Sequence, residues 1–160
     1  MRTKKLIFII FVFCFFSCQS CEEKENFYKN SKNINSEWML NDTVKFEFLG
    51  NQMRNQYNIF FILRNNNEYP YRNIYLLTKL KTPKGEEKID TLEYQLAKAS
   101  GEWLGDGMGA VKQNKLVYKS SIAFRDSGDY QIQITHGMRD EKLKGIEGVS
   151  LLIDEIKNDK

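Results

Sequence analysis

Apolar and polar side chains alternate along most of the chain, and this period of two limits what the chain can fold into. Val44, Phe46 and Phe48 alternate with Lys45 and Glu47. A period of two places successive side chains on opposite faces of a β-strand, so that one face can be buried. The pattern returns at residues 57–63, 74–80, 116–124, 130–134 and 149–153. The sequence therefore predicts strands through most of its length.

Turn-forming residues separate these predicted strands. Asparagine, proline, glycine and serine favour turns, and they occur at residues 65–67, 69–71, 83–85 and 127–129. Strands separated by such turns, without a long amphipathic helix, are typical of packed antiparallel sheets. We predict an all-β fold, an antiparallel β-sandwich of immunoglobulin-like or jelly-roll-like architecture. A short helix is expected only at residues 138–144.

A local motif favours the sandwich. Residues 126–130 read D-S-G-D-Y, the D-x-G-x-Y form that precedes the tyrosine corner of immunoglobulin-like domains, in which the phenol bonds to a nearby backbone group. The paired cysteines and central tryptophan of a true immunoglobulin domain are missing from the pattern. The motif therefore indicates a type of architecture and not membership of that family.

The beginning of the chain has the pattern of a bacterial lipoprotein signal. Residues 1–5 carry three basic side chains, and residues 6–16 form an apolar run that is shorter than the ~20 residues of a membrane-spanning helix. Ser17 precedes Cys18, as at a site where a signal peptide is cut after lipid attachment. We predict a cleaved signal helix over residues 1–17 and lipidation of Cys18, with Cys21 as the alternative.

The cysteines and the charges exclude several classes of function. All three cysteines lie within the first 21 residues, so C-x-x-C at Cys18 and Cys21 lacks the scaffold or second pair that redox or zinc chemistry needs. The chain has 24 Lys and Arg against 21 Asp and Glu, but three of the basic residues belong to the predicted signal peptide. The mature chain is expected to be neutral, which gives no support for nucleic-acid binding.

The mature chain divides by composition. Residues 18–36 are largely polar, and we predict that they form a lipidated tether. Its acidic side chains at positions 22, 23 and 25 suit a soluble spacer, with a sorting signal as the alternative. Residues 37–160 are predicted to form the β-sandwich domain, which must be stabilised by burial because no cysteine remains for a disulfide.

The glycine-rich segment at residues 101–110 superficially matches a nucleotide-binding turn. Residues 105–110 read G-D-G-M-G-A, which satisfies G-x-G-x-x-G/A, but that motif binds pyrophosphate only where a helix follows it. A predicted strand follows here, so no bound nucleotide is expected. We expect the glycines to let a long connection pass close to the sheet, while Trp103 and Leu104 pack on the core or form a contact surface.

Residue types that carry catalysis are sparse. His136 is the only histidine, which excludes a multi-histidine metal site, and we expect it to be exposed or hydrogen-bonded at a strand end. Asp90 and Glu93 could form an acid/base pair, but an offset of three on a strand directs them to opposite faces. We therefore expect no catalytic, cofactor-binding or metal-binding residues, and no enzyme activity.

Aromatic residues near turns are the candidate contact residues. Tyr69 and Tyr71 flank a proline, and Trp103 lies in the glycine-rich segment. Loop aromatics often anchor protein interfaces, although they can also belong to the core. We predict that Trp103, Tyr69 and Tyr71 contact a partner.

Several ordered motifs together resemble one family. They are Y-P-Y at 69–71 with N-I-Y-L at 73–76, D-T-L-E-Y at 90–94, G-E-W-L-G-D-G at 101–107, N-K-L-V-Y-K at 114–119, M-R at 138–139 and G-I at 145–146. Over most of residues 38–156 the chain resembles the gliding motility lipoprotein GldH family. The resemblance implies a lipid-anchored envelope protein needed for surface gliding and associated with machinery that shares components with type IX secretion. It implies no catalytic residues.

The leading functional hypothesis is a non-catalytic component that assembles or stabilises the gliding apparatus. Its expected partners are other gliding and secretion envelope proteins, together with the membrane through N-terminal acyl chains. The expected location is the cell envelope at the outer membrane, with the periplasmic and surface faces both open. The alternative is a surface lipoprotein whose β-sandwich binds carbohydrate or another ligand.

Overall fold

The computed structural model describes residues 27–50 and 55–156, and its regular elements are strands. The predicted signal helix and both candidate lipidation sites, Cys18 and Cys21, lie outside the described residues. The strands are β1 (Tyr28–Asn33), β2 (Glu37–Met39), β3 (Val44–Gly50), β4 (Tyr57–Asn65), β5 (Asn73–Lys81), β6 (Glu87–Gln95), β7 (Lys112–Ile122), β8 (Gly128–His136), β9 (Lys142–Lys144) and β10 (Ile146–Glu155). The predicted all-β fold is confirmed.

The strand order identifies the architecture as a jelly roll. One four-stranded sheet has the order β1-β10-β4-β7, the other has the order β3-β8-β5-β6, and β2 pairs with β9 in a short ribbon. Without the ribbon, the eight long strands pair first with last, second with seventh, third with sixth and fourth with fifth, all antiparallel. In a jelly roll, the strands pair in this nested order, as in one long antiparallel hairpin that folds over into two sheets. Of the two predicted architectures, the immunoglobulin-like one is wrong.

The sandwich begins earlier than the predicted boundary at residue 37. Strand β1 lies inside the interval 18–36 that we expected to be a tether, and it pairs with β10 from Tyr28 opposite Ile153 to Asn33 opposite Gly148. Its side chains after Tyr28 are exposed. An edge strand held by backbone hydrogen bonds needs no alternating apolar side chains, so its polar sequence gave no strand signal.

The helix expected at residues 138–144 is also wrong. Lys142–Lys144 forms β9, with Leu143 opposite Trp38 of β2. Both of these side chains are almost completely buried, and the residues that flank them in the ribbon are exposed. Three residues are too few for a strand's period of two to be distinguished from a helical pattern.

The core lies between the two sheets, where the alternating side chains meet. β3 follows the predicted pattern throughout, with each apolar residue at 44, 46 and 48 buried and each intervening residue exposed. Burying a large apolar side chain stabilises a fold by ~1.5–3 kcal/mol. The fully inaccessible side chains of the core include Ile59, Phe61, Leu63, Ile74, Leu76, Ile132, Ile134, Val149, Leu151 and Ile153.

The two ends of the sandwich differ. At the N-terminal end, Tyr57 lies opposite Glu155 and Gly50 opposite Gly128. The described connections there include residues 82–86 and 123–127. At the far end, Asn65 lies opposite Ile146 and Lys112. The connections at the far end are residues 34–43, 66–72, 96–111 and 137–145. The long connections, including the β2–β9 ribbon, therefore gather at the end opposite Tyr28.

The predicted tyrosine corner is present at the N-terminal end. The hydroxyl of Tyr130 donates to the backbone oxygen of Asp126 and accepts from its backbone nitrogen, each at 3.3 Å. The ring of Tyr130 stacks on Phe48 with centroids 5.5 Å apart. The motif therefore fixes the entry of β8 in a jelly roll as it does in immunoglobulin-like domains.

Candidate interaction surface

The three predicted contact aromatics come together at the far end, but they differ in accessibility. The ring centroid of Tyr69 lies 5.9 Å from that of Tyr71 and 6.4 Å from that of Trp103. Only 3% of Tyr69 is exposed, and its hydroxyl donates to the backbone oxygen of Asn73 at 2.8 Å. Burial raises the pKa of Tyr69 well above its usual range. Tyr69 is thus a core residue that supports the other two rings.

Tyr71 is half-buried and joins two of the far-end connections. Its hydroxyl donates to Oδ2 of Asp140 at 2.8 Å. This hydrogen bond is the main reason why the pKa of Tyr71 is raised. Beside the ring lies an open groove of about 560 Å³, which is lined by Pro70, Tyr71, Arg72, Asn73, Glu93, Gln95, Ala97 and Ala99. The groove offers polar groups next to the side chain of Tyr71.

Trp103 is also half-buried, and backbone pairing fixes it in place. Residues Ala97 and Trp103 form an isolated antiparallel bridge, and the backbone nitrogen of Leu104 donates to the backbone oxygen of Leu96 at 2.8 Å. Nε1 of Trp103 donates to Oδ1 of Asn67 at 3.3 Å. One face of the indole packs on the core, as expected, and its remaining surface keeps Trp103 a candidate contact.

Gly105 performs the role predicted for the glycines, which is close passage beside the sheet, whereas a Cβ on Gly101 or Gly109 would meet no atom within 4 Å. A Cβ on Gly105 would lie 2.6 Å from Oδ1 of Asn114, and one on Gly107 would lie 2.5 Å from the backbone oxygen of Val111. Asn114 is buried and donates to Oδ1 of Asn65 at 2.9 Å. Strand β7 follows the segment, so it lacks the helix that a nucleotide-binding turn requires.

The segment ends in an ordered hairpin that displays a methionine. The backbone groups of Asp106 and Gln113 exchange two hydrogen bonds of 2.9 and 2.7 Å, and Nζ of Lys112 donates to the backbone oxygen of Gly107 at 2.7 Å. Met108, at the tip, is completely exposed. Sequence reasoning missed Met108, although a large apolar residue between two glycines was an available signal.

The prediction that His136 is exposed or hydrogen-bonded at a strand end is wrong in part. It does end β8, but it is fully buried, and neither ring nitrogen has a hydrogen-bond partner among the described residues. The indole of Trp38 covers it edge to face, with ring centroids 5.4 Å apart. Burial lowers the pKa of His136, while the backbone of Trp38 and the charge of Asp140 partly oppose this effect. His136 is therefore a core residue.

Asp90 and Glu93 are separated as predicted. Oδ2 of Asp90 accepts from Nζ of Lys119 at 2.8 Å and from the hydroxyl of Tyr118 at 3.1 Å. The Lys119 hydrogen bond is the main reason why the pKa of Asp90 is lowered. Glu93 instead accepts from Nδ2 of Asn73 at 2.7 Å. Asp90 therefore ties β6 to β7 across the edge between the sheets, and the two carboxylates do not share a site.

Across residues 27–50 and 55–156, no three histidine, cysteine, aspartate or glutamate side chains gather in a way that could hold a metal ion. None of these segments forms an apolar helix of membrane-spanning length.

Among solved structures, a fructofuranosidase from Schwanniomyces occidentalis is similar to this chain. The two share 9% sequence identity with a TM-score of 0.41, over 83% of this chain and 34% of the fructofuranosidase chain. This chain thus spans about a third of that protein's length. Similarity at this level supports no functional conclusion.

Curated relatives match over nearly the whole chain. "Gliding motility lipoprotein GldH homolog" of Christiangramia forsetii is 38% identical, over 99% of this chain and 100% of the relative. "Gliding motility lipoprotein GldH" of Flavobacterium johnsoniae is 33% identical, over 96% of this chain and 94% of the relative. The sequence model of the GldH lipoprotein family matches residues 26–153, an interval that begins before β1. The resemblance expected from the ordered motifs is confirmed, and the chain belongs to the GldH lipoprotein family.

Proposed function

We propose that this protein is a lipid-anchored, non-catalytic component of the gliding motility apparatus in the cell envelope. Near full-length similarity to two relatives named as gliding motility lipoproteins carries the proposal. The finer role that we propose is assembly or stabilisation of that apparatus, with a link to type IX secretion. Its partners are other envelope proteins of the same machinery.

The proposed anchor is Cys18, with Cys21 as the alternative. The match to a lipoprotein family and the small residue directly before Cys18 support this assignment. Each buried methylene of an acyl chain contributes about 0.8 kcal/mol to membrane attachment, so several chains hold a protein stably. We place the domain at the outer membrane, beside the acyl chains.

Three of the acidic side chains have structural partners, which supports a non-catalytic role. Asp90 is neutralised by Lys119 at 2.8 Å, and Asp126 by Lys84 at 2.6 Å. Asp140 accepts a hydrogen bond from Tyr71. Carboxylates held in this way cross-link strands and connections, which is a structural function.

The groove beside Tyr71 favours the second candidate function, which is ligand binding. An aromatic side chain next to the polar side chains of Arg72, Asn73, Glu93 and Gln95 suits a sugar, which packs on rings and hydrogen-bonds through its hydroxyls. Jelly rolls also occur in lectins. A binding module should retain its ligand after purification without the anchor.

The test is single-cell movement on glass by a strain that lacks this gene. We expect movement to stop, wild-type protein to restore it, and Cys18→Ser to fail to restore it at equal protein abundance. Cys21→Ser is the matched control and should restore movement. A deletion strain that glides normally would refute the motility role, and rescue by Cys18→Ser but not by Cys21→Ser would move the anchor to Cys21.

A further inference from the structure

We propose that strand β6 binds an extended segment of another envelope protein, which joins the sheet as an additional strand. The proposal rests on the proposed function, because it names the surface through which a component of the machinery meets its neighbour. Within the described residues β6 pairs only with β5, and it ends the sheet order β3-β8-β5-β6. Its outer edge therefore presents a row of backbone N–H and C=O groups, and the complement of such a row is another extended chain.

The other three edges of the sandwich are shorter or less regular. Two register shifts interrupt the pairing of β7 with Tyr57–Phe60, and the backbone oxygen of Val117 on β7 accepts from the hydroxyl of Tyr94 at 2.7 Å. Strand β1 has six residues and β3 has seven, and Tyr28 of β1 packs against Phe48 of β3. Strand β6 pairs through nine consecutive residues without a shift and contains no proline. It is the longest regular edge in the described part of the chain.

A small recess lies beside this edge on the outer face of the sheet. Ile89 of β6 is 68% exposed, and Leu77 of β5 is 41% exposed. The two are diagonal neighbours, because Leu77 lies opposite Thr91 and Lys79 lies opposite Ile89. Both side chains line the recess, which has a volume of about 190 Å³ and extends to Thr135 of β8. Ligand pockets usually have about 300–1,000 Å³, so this recess suits a single side chain.

The recess supplies the selectivity that backbone pairing lacks. When a strand is added to a sheet, main-chain hydrogen bonds provide affinity, and pockets for alternate side chains provide specificity. Every second side chain of the added strand lies on the outer face of the sheet. An apolar side chain at the position beside Ile89 covers that residue and reaches toward the recess. The partner is therefore expected to have a large apolar residue there.

The charges on the outer face of β6 define a second position of the partner's strand. Nζ of Lys79 pairs with Glu87 at 3.1 Å. Glu93 is exposed and accepts from the neutral amide of Asn73 at 2.7 Å, which leaves its charge uncancelled. The ion pairs among the described residues do not include Glu93. Since opposite charges that face each other across two strands are favourable, we expect Lys or Arg beside Glu93.

The charges on the inner side of β6 do not block an added strand. An inward-pointing charge is one of the devices that protect a sheet edge from pairing. Oδ2 of Asp90, however, is held by Nζ of Lys119 at 2.8 Å. Lys88 is exposed near the beginning of the strand, where its long side chain can remain in water. An added strand therefore has no unpaired inward carboxylate to cover.

A second copy of β6 does not provide the expected cation. The positions of β6 on the outer face are 87, 89, 91, 93 and 95, and none of them is lysine or arginine. Two β6 strands paired about a two-fold axis therefore place no opposite charge beside Glu93. The charge pattern favours a segment of a different protein.

Substitutions in the full-length protein in living cells test whether the edge is used. Ile89→Asp should impair gliding, and Ile89→Val should preserve it. Leu49→Asp is the matched control and should glide normally, because Leu49 is 56% exposed on β3, at the opposite edge of the same sheet. All three side chains are exposed, so the unfolding midpoints should equal that of wild type. Normal gliding by Ile89→Asp, in a strain where deletion stops gliding, would overturn the proposal.

Benzoylphenylalanine at positions 89, 91 and 93, with position 49 as the control, identifies what covers the edge. The expected result is light-dependent adducts to one partner protein whose attachment points, mapped by mass spectrometry, advance by about two residues for each step of two along β6, as paired strands require. Ile89→Asp should lower the adduct yield at position 91 by about tenfold or more, as for an interface hot spot. Attachment points in unrelated segments, or adducts to this chain, a second copy of it, phospholipid or polysaccharide, would overturn the proposal.

A charge exchange tests the position beside Glu93. Glu93→Lys should lower the adduct yield at position 89 by about 3- to 10-fold, and replacing the mapped Lys or Arg of the partner by Glu should restore the yield. Glu93→Gln should cause a smaller loss. If the mapped segment contains no cation, or if the exchange does not restore the adduct, the proposed charge pairing is refuted.

The strand-addition proposal and the motility proposal fail separately. If deletion of the gene leaves gliding intact, the motility role is refuted, and strand addition is then judged by the mapped adducts alone. If deletion stops gliding but positions 89, 91 and 93 give no in-register adducts to a partner, the motility role stands and strand addition is refuted.

Discussion

The two ends of the jelly roll differ in the polar bonding that accompanies their aromatic packing. At the N-terminal end, aromatic rings pack together: Phe124 lies 5.0 to 5.5 Å, centroid to centroid, from Phe48, Tyr57 and Tyr130. At the far end, amide and carboxylate groups connect the segments: Asn66 donates to Glu147 at 2.6 Å, and Asn114 donates to Asn65. The difference teaches that aromatic packing is common to both ends, while at the far end side-chain amides add polar bonds between the segments that display the candidate contacts.

The largest expected effect comes from removing a ring at the N-terminal end. Phe124 is 2% exposed, so Phe124→Ala leaves a cavity among three rings and should lower the free energy of unfolding by about 3–5 kcal/mol. Denaturant unfolding of the soluble domain measures this loss, with Phe124→Leu as the milder control. A loss smaller than that caused by the far-end substitutions below would invert the comparison.

A methyl group at Gly105 tests the polar far end. Because the added Cβ would lie 2.6 Å from Oδ1 of Asn114, Gly105→Ala should break the Asn114–Asn65 contact and cost about 1–3 kcal/mol of unfolding free energy. The control is Gly109→Ala, where space is free and only the positive φ is penalised, by about 1–2 kcal/mol. If Gly105→Ala is neutral, the hairpin is not held by Asn114.

Removing one hydroxyl at the far end should have a smaller effect. Tyr71→Phe deletes the 2.8 Å hydrogen bond to Asp140 but keeps the ring, so the expected loss is about 0.5–1.5 kcal/mol. Asp140→Asn, which keeps an acceptor oxygen, serves as the control. Thermal unfolding of both variants would sharpen the comparison, and a loss as large as that of Phe124→Ala would contradict it.

The smallest effect at neutral pH is expected from His136→Phe. The pKa of His136 is lowered in the folded protein by burial, so the unfolded state binds a proton more readily, and stability should fall as the pH drops below about 6.5. The phenyl ring of the variant cannot bind a proton in either the folded or the unfolded state. Unfolding measured between pH 7.5 and 5.5 should therefore be less pH-dependent in the variant, and an identical slope would show that His136 does not titrate as described.

A strand could be predicted from the sequence only where its own residues show a recognisable pattern. β3, β5, β7 and β8 bury alternate side chains over most of their length, so the period of two reveals them. β1 buries almost nothing beyond Tyr28, and its pairing with β10 depends on residues at the opposite end of the chain. The same long-range pairing distinguishes a jelly roll from an immunoglobulin-like sandwich, and alternation within a strand contains no information about it.

The candidate site shows the same limit. Sequence reasoning located Trp103, Tyr71 and the close-passing glycines, because their types and spacing are visible locally. It placed His136 wrongly, because the ring that covers it belongs to Trp38 in the β2–β9 ribbon. It also could not tell that Tyr69 is enclosed while Met108 is displayed, since both depend on how the four far-end connections meet.

The nested pairing of the strands also has a consequence for export and maturation. The hydroxyls of Ser31 on β1 and Ser150 on β10 are 2.8 Å apart in space but 119 positions apart along the chain. If the chain leaves a translocation channel N-terminus first, β1 emerges first but can pair only after β10 has also emerged. Topologies with such distant pairings fold in about milliseconds to seconds. Until β10 has emerged, β1 has no strand to pair with.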